Sequence, residues 1–327
     1  MPTHPREVLV AGEAPFPVLS ACEHFAGSAK LIVRALEIQQ RMHGQIDVTA
    51  DCEDGAMAGN EQAHMAMVVE QLNGTHNCYG RLGVRIHGHH HPQWRHDVDR
   101  LLSGAGERVA YVTIPKSNGV AEAVEVIAYI RKCCVRLGIE RVIPIHVLIE
   151  SQGALRDVWQ IAGLPGVEAL DFGLMDFVSA HRGAIGSAAM RSPGQFEHRL
   201  VARAKTEIVA AALANGVVPA HNVTLDLNNP DQTREDARRA REDFGFLRMW
   251  SIHPVQIDVI LDAMRPDFSG LQTACAVLLE AQDADWGPIQ FQGQLHDRAS
   301  YRDLWHLLQQ AQAFSVPLSD EVKQRLL

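Results

Sequence analysis

No apolar run in the 327-residue sequence approaches the ~20 residues that a membrane-spanning helix needs. The first ten residues, MPTHPREVLV, lack the apolar centre of a secretory signal. A disulfide framework is missing too. Six cysteines stand at 22, 52, 78, 133, 134 and 275, none forms a CxxC pair, and the adjacent Cys133 and Cys134 do not readily bridge. That usage is expected of a reduced, cytoplasmic protein. Positive charge is in deficit, with 30 Lys and Arg against 39 Asp and Glu, a formal net charge of −9. A nucleic-acid partner would demand a basic face, so that class is not expected. Small anionic substrates stay open, because a few local arginines suffice for them. Internal repeats and low-complexity stretches are absent.

What is present is globular. Hydrophobic residues make up 46% and charged residues 21%, and the length suits a single (β/α)₈ barrel with a tail. Short runs rich in β-branched residues alternate with helical patterns, as in βαβ units. Eight strands are predicted, at 17–25, 46–53, 82–88, 108–115, 143–150, 167–174, 217–224 and 246–253. Helices are predicted at 28–44, 119–138 and 196–216, the last two closing at Gly138 and Gly216. The count predicts an α/β fold, a closed (β/α)₈ TIM barrel over 1–262, with an open doubly wound sheet as the alternative. Residues 263–327 break the rhythm. A helix at about 271–283, a loop at 285–297 and a helix at 301–314 read as a C-terminal helical and loop extension, a lid or an oligomer contact.

Catalytic groups of such barrels sit at the C-terminal strand ends. Here five consecutive strands end in charge. The second ends in Asp51-Cys52-Glu53-Asp54-Gly55, the third near Arg85 and His87, the fourth in Pro115-Lys116-Ser117, the fifth in Glu150-Ser151, and the sixth runs to Asp176. Glu150 closes an almost wholly apolar run, where a carboxylate is costly unless paired or bound to a cation. Asp176 follows about one βα unit later, so the two could face one ion. Carboxylate ligands with water and substrate oxygens suit Mg²⁺ or Mn²⁺ better than zinc. The competing reading pairs Glu150 with Arg85 or Lys116 and needs no metal.

Six stretches together resemble the citrate lyase β-subunit-like proteins of the HpcH/HpaI aldolase superfamily, with malyl-CoA lyases as close relatives. They are DVTADCEDG (47–55), VRIHG (84–88), TIPKSNG (113–119), VLIES (147–151), FGLMDF (172–177) and SIHPVQI (251–257). The resemblance implies a metal-dependent carbon–carbon lyase or aldolase acting on a hydroxy acid or its CoA thioester. It implies Glu150 and Asp176 as Mg²⁺ ligands, Glu53 and Asp54 beside the metal and substrate, and Arg85 on a substrate carboxylate, which its fork matches. Backbone N–H groups after Phe172-Gly173 would add to that grip. Lys116 would supply positive charge to an anionic substrate or a CoA phosphate. FQGQLHDRASYR (291–302) is similar to the family's tail signature and makes Asp297 the acid/base that reaches a neighbouring subunit. That role implies a homo-oligomer, a trimer or hexamer.

Two departures bear on the substrate. The family opens R-S-x-L-F-V-P-G, whereas LSACEHFAG (19–27) has no arginine or proline there. A free hydroxy acid therefore stays open beside the thioester, as a class II pyruvate-type aldolase would take. A non-catalytic binding relative is the remaining alternative. Ten of 17 histidines lie in the first 100 residues, and His87, His89, His90 and His91 crowd the third strand end. His87 replaces the family asparagine and is expected to line the site, while the run as a whole is expected to be a rim loop rather than a zinc site. His253 reads as a turn former, and Cys52 as a small buried residue.

Overall fold

The structure, a computed structural model, describes residues 3–13, 15–314 and 316–327. It divides into two compact units, Leu19–Met264 and a second built from Met1–Val18 with Arg265–Leu327. The sequence reading gave the N-terminal residues to the barrel. They group with the C-terminal segment instead, because Leu9 is buried in a cluster with Leu278, Trp305 and Leu326.

In the larger unit, eight strands form a closed parallel barrel in sequential order. They are β1 (Cys22–Ala26), β2 (Asp47–Asp51), β3 (Leu82–Arg85), β4 (Val112–Ile114), β5 (Ile145–Ile149), β6 (Val167–Phe172), β7 (Val218–His221) and β8 (Arg248–Ser251). β8 returns to pair with β1, Cys22 opposite Met249, so the open-sheet alternative falls. Each predicted strand is present, shorter at its ends. The apolar run of β5 reflects burial on both faces. Ile145, Val147 and Ile149 point outward into the main core under the helices. His146, Leu148 and Glu150 point inward and stack upward by the period of two.

Local sequence explains the connecting helices. Ser28 opens the helix Ala29–Arg41 by accepting the Leu31 N–H. Gly138, at φ 71°, closes Val120–Leu137. The helix predicted over 196–216 is two pieces, Gly194–Glu197 and Arg199–Ala214, parted at His198, whose ψ of 118° is extended.

The smaller unit packs the helices Leu271–Asp283, Arg298–Ala313 and Asp320–Leu326 around Tyr301 and Trp305. The loop predicted at 285–297 holds an antiparallel hairpin, β9 (Ile289–Phe291) and β10 (Gln294–His296). Its two-residue turn, Gln292-Gly293, has φ of 49° and 82°, the twist that suits tight hairpins. Strands of three residues carry too little alternation to be seen in sequence. Among the described residues no helix is long and apolar enough to cross a membrane.

Candidate active site

β2 and β3 place Asp51 directly opposite Arg85 in the barrel register. The guanidinium grips the carboxylate with both arms, Nε to Oδ1 at 2.7 Å and Nη2 to Oδ2. Asp51 also accepts the N–H groups of Glu53 at 3.0 Å and Gly55 at 2.9 Å, which fold the acidic loop over the strand end. Burial works against the Arg85 charge, but Asp51 more than restores it and the pKa is raised. The fork that the resemblance assigned to a substrate carboxylate is therefore committed to Asp51. Only Nη1 remains, 3.4 Å from Glu53. Asp51, read in the sequence only as part of an acidic cluster, is the anchor of this half of the rim. Its signal was its place beside Arg85 on the neighbouring strand end.

Lys116, just past β4, has φ 53°, a left-handed conformation that costs a side-chain-bearing residue energy. The turn has two consequences. Its Nζ meets both Asp54 oxygens at 2.8 Å and also contacts Glu53. Its backbone N–H donates to Glu150 Oε1. Burial opposes the ammonium, but Asp54 and Glu53 outweigh it and hold the amine protonated. Burial pushes the Glu53 carboxyl up against the pull of Arg85 and Lys116. Asp54, half exposed, is held low by Lys116 despite some burial.

Glu150 is 3% exposed. Neither Arg85 nor the Lys116 ammonium pairs with it, so the metal-free ion pair weighed from sequence is not formed. Burial first, and the Asp176 charge next, push its carboxyl up to about 8. Gly173 presses against it: a Cβ there would lie 2.4 Å from Glu150 Oε2. Only glycine leaves that space. Asp176 sits in the first turn of the helix Leu174–Ser179, partly buried. Two all-oxygen carboxylates, one deeply buried and lacking a cationic partner, form a donor set that fits a hard divalent ion such as Mg²⁺.

A cavity of about 490 Å³ opens beside this rim, lined among others by Glu53, Lys116, His64, His87, His90 and His91. His87 is fixed by buried Asp97, which accepts from its backbone N–H at 3.0 Å and meets Nδ1 at 2.6 Å. Burial lowers the imidazole's affinity for a proton, but Asp97 reverses this and the pKa is raised. His91 stacks on it at 4.0 Å. His89 and His90 lie within metal-ligand spacing of Glu122. Both are already paired, His89 with Glu125 at 2.8 Å and His90 with Glu122 at 3.0 Å. Cys52 is buried and its thiol is pushed up by burial, as suits an inert residue. His253 accepts the Val255 N–H and caps the short helix Pro254–Gln256.

Asp297 lies in the smaller unit, where Oδ1 accepts from Ala299 and Ser300 at the start of Arg298–Ala313. Within this chain it is a helix cap.

The family model for HpcH/HpaI aldolase/citrate lyase matches residues 34–254. The L-malyl-CoA/β-methylmalyl-CoA lyase of Cereibacter sphaeroides is 27% identical over 82% of this chain and 88% of its own length. A citrate lyase subunit beta-like protein of Deinococcus radiodurans is 28% identical over 65% of this chain and 69% of its own. Among solved structures, a citrate lyase from Burkholderia xenovorans shares 47% identity, covers 99% of this chain and all of its own, and superposes with a TM-score of 0.90. The CitE protein of Mycobacterium tuberculosis, solved with magnesium, acetoacetate and coenzyme A, is 22% identical, covers 90% of this chain and 99% of its own, and at a TM-score of 0.68 shares the fold. With a family match spanning most of the barrel and the six strand-end stretches in place, the chain belongs to the HpcH/HpaI aldolase/citrate lyase family.

Proposed function

We propose that the chain is a Mg²⁺-dependent carbon–carbon lyase acting on a hydroxy acid or its CoA thioester. The observation that carries this reading is Glu150, a buried carboxylate with no cationic partner, seated against Gly173 with Asp176 alongside. Glu150 and Asp176 would hold the ion, Mg²⁺ by preference and Mn²⁺ in its place. When bound, it supplies Lewis-acid stabilisation to negative charge developing on a substrate oxygen. That chemistry is the one expected where relatives are named malyl-CoA lyase and citrate lyase.

The chain's own residues supply the rest. Arg85 holds Asp51 and so fixes the loop carrying Glu53 and Asp54 beside the site. Its remaining Nη1 and the Lys116 ammonium offset part of the rim's acidic charge beside the cavity, where an anionic substrate would otherwise be repelled. Lys116, held protonated by two carboxylates, is ill suited to attack a carbonyl, so the reaction needs no lysine Schiff base. Glu53, pushed up and next to the cavity, is placed to take the hydroxyl proton as the carbon–carbon bond breaks. The electron pair of that bond passes to the departing enolate, which is then protonated. Asp297 enters as acid/base only through the family resemblance, and only from a second copy of the chain.

A second reading, a class II pyruvate-type aldolase on free acids, draws on the cavity. At about 490 Å³, with imidazole donors from His64, His87, His90 and His91, it matches a small acid without a nucleotide tail. One assay tests both. Release of glyoxylate, pyruvate or oxaloacetate is followed from malyl-, citramalyl- and citryl-CoA and from the free acids, with Mg²⁺ and after its removal. Mg²⁺-dependent release from any member supports the lyase reading; release that includes the thioesters makes the thioester a substrate, and release from the free acids alone supports the second reading. Silence across the panel would favour a non-catalytic binding relative.

A further inference from the structure

Below the rim, the barrel encloses a set of charges that the proposed reaction does not use. Glu23 on β1, Asp47 on β2, Asp171 on β6 and Arg248 on β8 are buried, each at 2% exposure or less. Asp47 is paired by Arg81 at 2.6 Å and by Arg248 at 2.7 Å. Glu23 meets Arg248 at 3.1 Å, and its other oxygen accepts from Thr49 and Tyr111. Asp171 has no such answer: no arginine or lysine pairs with it, neither oxygen makes a well-aligned hydrogen bond, and the Trp250 indole N–H is its neighbouring donor. His146 on β5, equally buried, has its Nε2 3.3 Å from Glu168, while Nδ1 has no partner.

We propose that Glu23, His146 and Asp171 form a second cation site, sealed inside the barrel and taking a divalent transition ion of the zinc class. One ligand atom from each lies within 4.8 Å of the other two, yet no two of the three residues are hydrogen-bonded. Ligands ~2.1 Å from a common ion lie ~3–4 Å apart, so a small contraction closes the set. Two carboxylates with an imidazole favour zinc and its neighbours over Mg²⁺, which prefers oxygen alone. Glu168 stands behind His146 as outer carboxylates do behind metal-bound histidines. Charge points the same way. The carboxylates of Glu23 and Asp47 are balanced by arginines and that of Asp171 is not, a costly arrangement in a dry interior. Without a cation, burial and then Glu23 push Asp171 up to about 7. Phe25, Leu148, Ala220 and Trp250 pack as an apolar cluster against the set, level with Asp171 and Glu23 in the strand register, and every member of the set is buried, so the ion would be captured on folding and shielded from chelators.

The test uses the full chain, expressed with zinc supplied, dialysed at length against EDTA and assayed by ICP mass spectrometry. We expect ~1 zinc per chain, kept when Glu150 and Asp176 become Ala and when His89 and His90 become Ala. In Asp171→Asn and His146→Gln the content is expected to fall to below ~0.1. Zinc K-edge absorption of the His89→Ala/His90→Ala chain reads the ligands without depending on whether the core variants fold, and one imidazole among oxygens is expected. Overturning results are no retained metal, an all-oxygen shell, or full retention in a folded Asp171→Asn chain. The interior would then be neutralised by a proton on Asp171.

Discussion

At the barrel rim, Asp51, Glu53 and Asp54 meet Arg85 and Lys116, and the unanswered carboxylate is Glu150. Lower in the same barrel, Glu23 and Asp47 meet Arg248, and the unanswered carboxylate is Asp171. Both regions hold acids in excess of bases, with Glu150 and its neighbour Asp176 left over in one and Asp171 in the other. What separates them is access. The rim borders a cavity of about 490 Å³ with Lys116 partly exposed, so a ligand can come and go. The interior set is buried, with Phe25 and Trp250, their rings 4.3 Å apart, packed against it, so whatever balances it must arrive with folding. Under the roles proposed above, the same arithmetic of charge would serve turnover in one place and cohesion in the other.

That contrast can be broken by changing one member of each region. Glu150→Ala or Asp176→Ala is expected to reduce lyase turnover by at least ~10³-fold, while leaving the metal-free fold intact, as steady-state kinetics and circular dichroism would show. Turnover close to that of the parent would refute the rim as the metal centre. Arg248→Met should do the reverse. It strips the interior of its central cation and is expected to cost ~3–5 kcal/mol in urea unfolding; a cost under ~1 kcal/mol would show the interior charges are not coupled.

Smaller changes sharpen the comparison. Gly173→Ala would put a methyl 2.5 Å from Glu150 Cβ and force that side chain aside; it should lower kcat by ~10²-fold and cost ~1–3 kcal/mol in thermal melts. Lys116→Gly and Lys116→Ala both delete the ammonium, but the glycine variant relieves the left-handed backbone. It should be the more stable of the two by about 1 kcal/mol in thermal melts. Asp297→Ala removes a helix cap outside both regions and should cost ~1 kcal/mol. A loss of kcat in the still-folded variant, beyond what that destabilisation explains, would mark it as the acid/base acting on a neighbouring copy.

Much of this was legible in the chain because strand ends and residue period leave plain marks. Eight β-branched runs gave the barrel, and the carboxylates just beyond β5 and β6, Glu150 and Asp176, carry the metal site proposed above. The Asp51–Arg85 clamp was not seen, because adjacency across a sheet is a fact of register that a linear pattern leaves open. Nor was the interior set: Glu23, His146, Asp171 and Arg248 sit far apart along the chain, each a single polar residue in an apolar strand. The hairpin at β9–β10 was hidden by its brevity. Pairing of Met1–Val18 with the C-terminal segment depends on Leu9 finding Trp305 and its neighbours, which no local signal announces.

Gly173 also has a meaning for descent. Every single-nucleotide change that alters a glycine codon's residue adds a side chain or ends the chain, and any side chain here would strike Glu150. The position therefore offers lineage drift no neutral first step. Under the roles proposed above, variation in substrate preference would enter more readily through the cavity's histidines, where a substitution of His90, 64% exposed, meets little resistance. If the proposed roles hold, the barrel keeps its chemistry and its choice of substrate on residues with very different freedom to change.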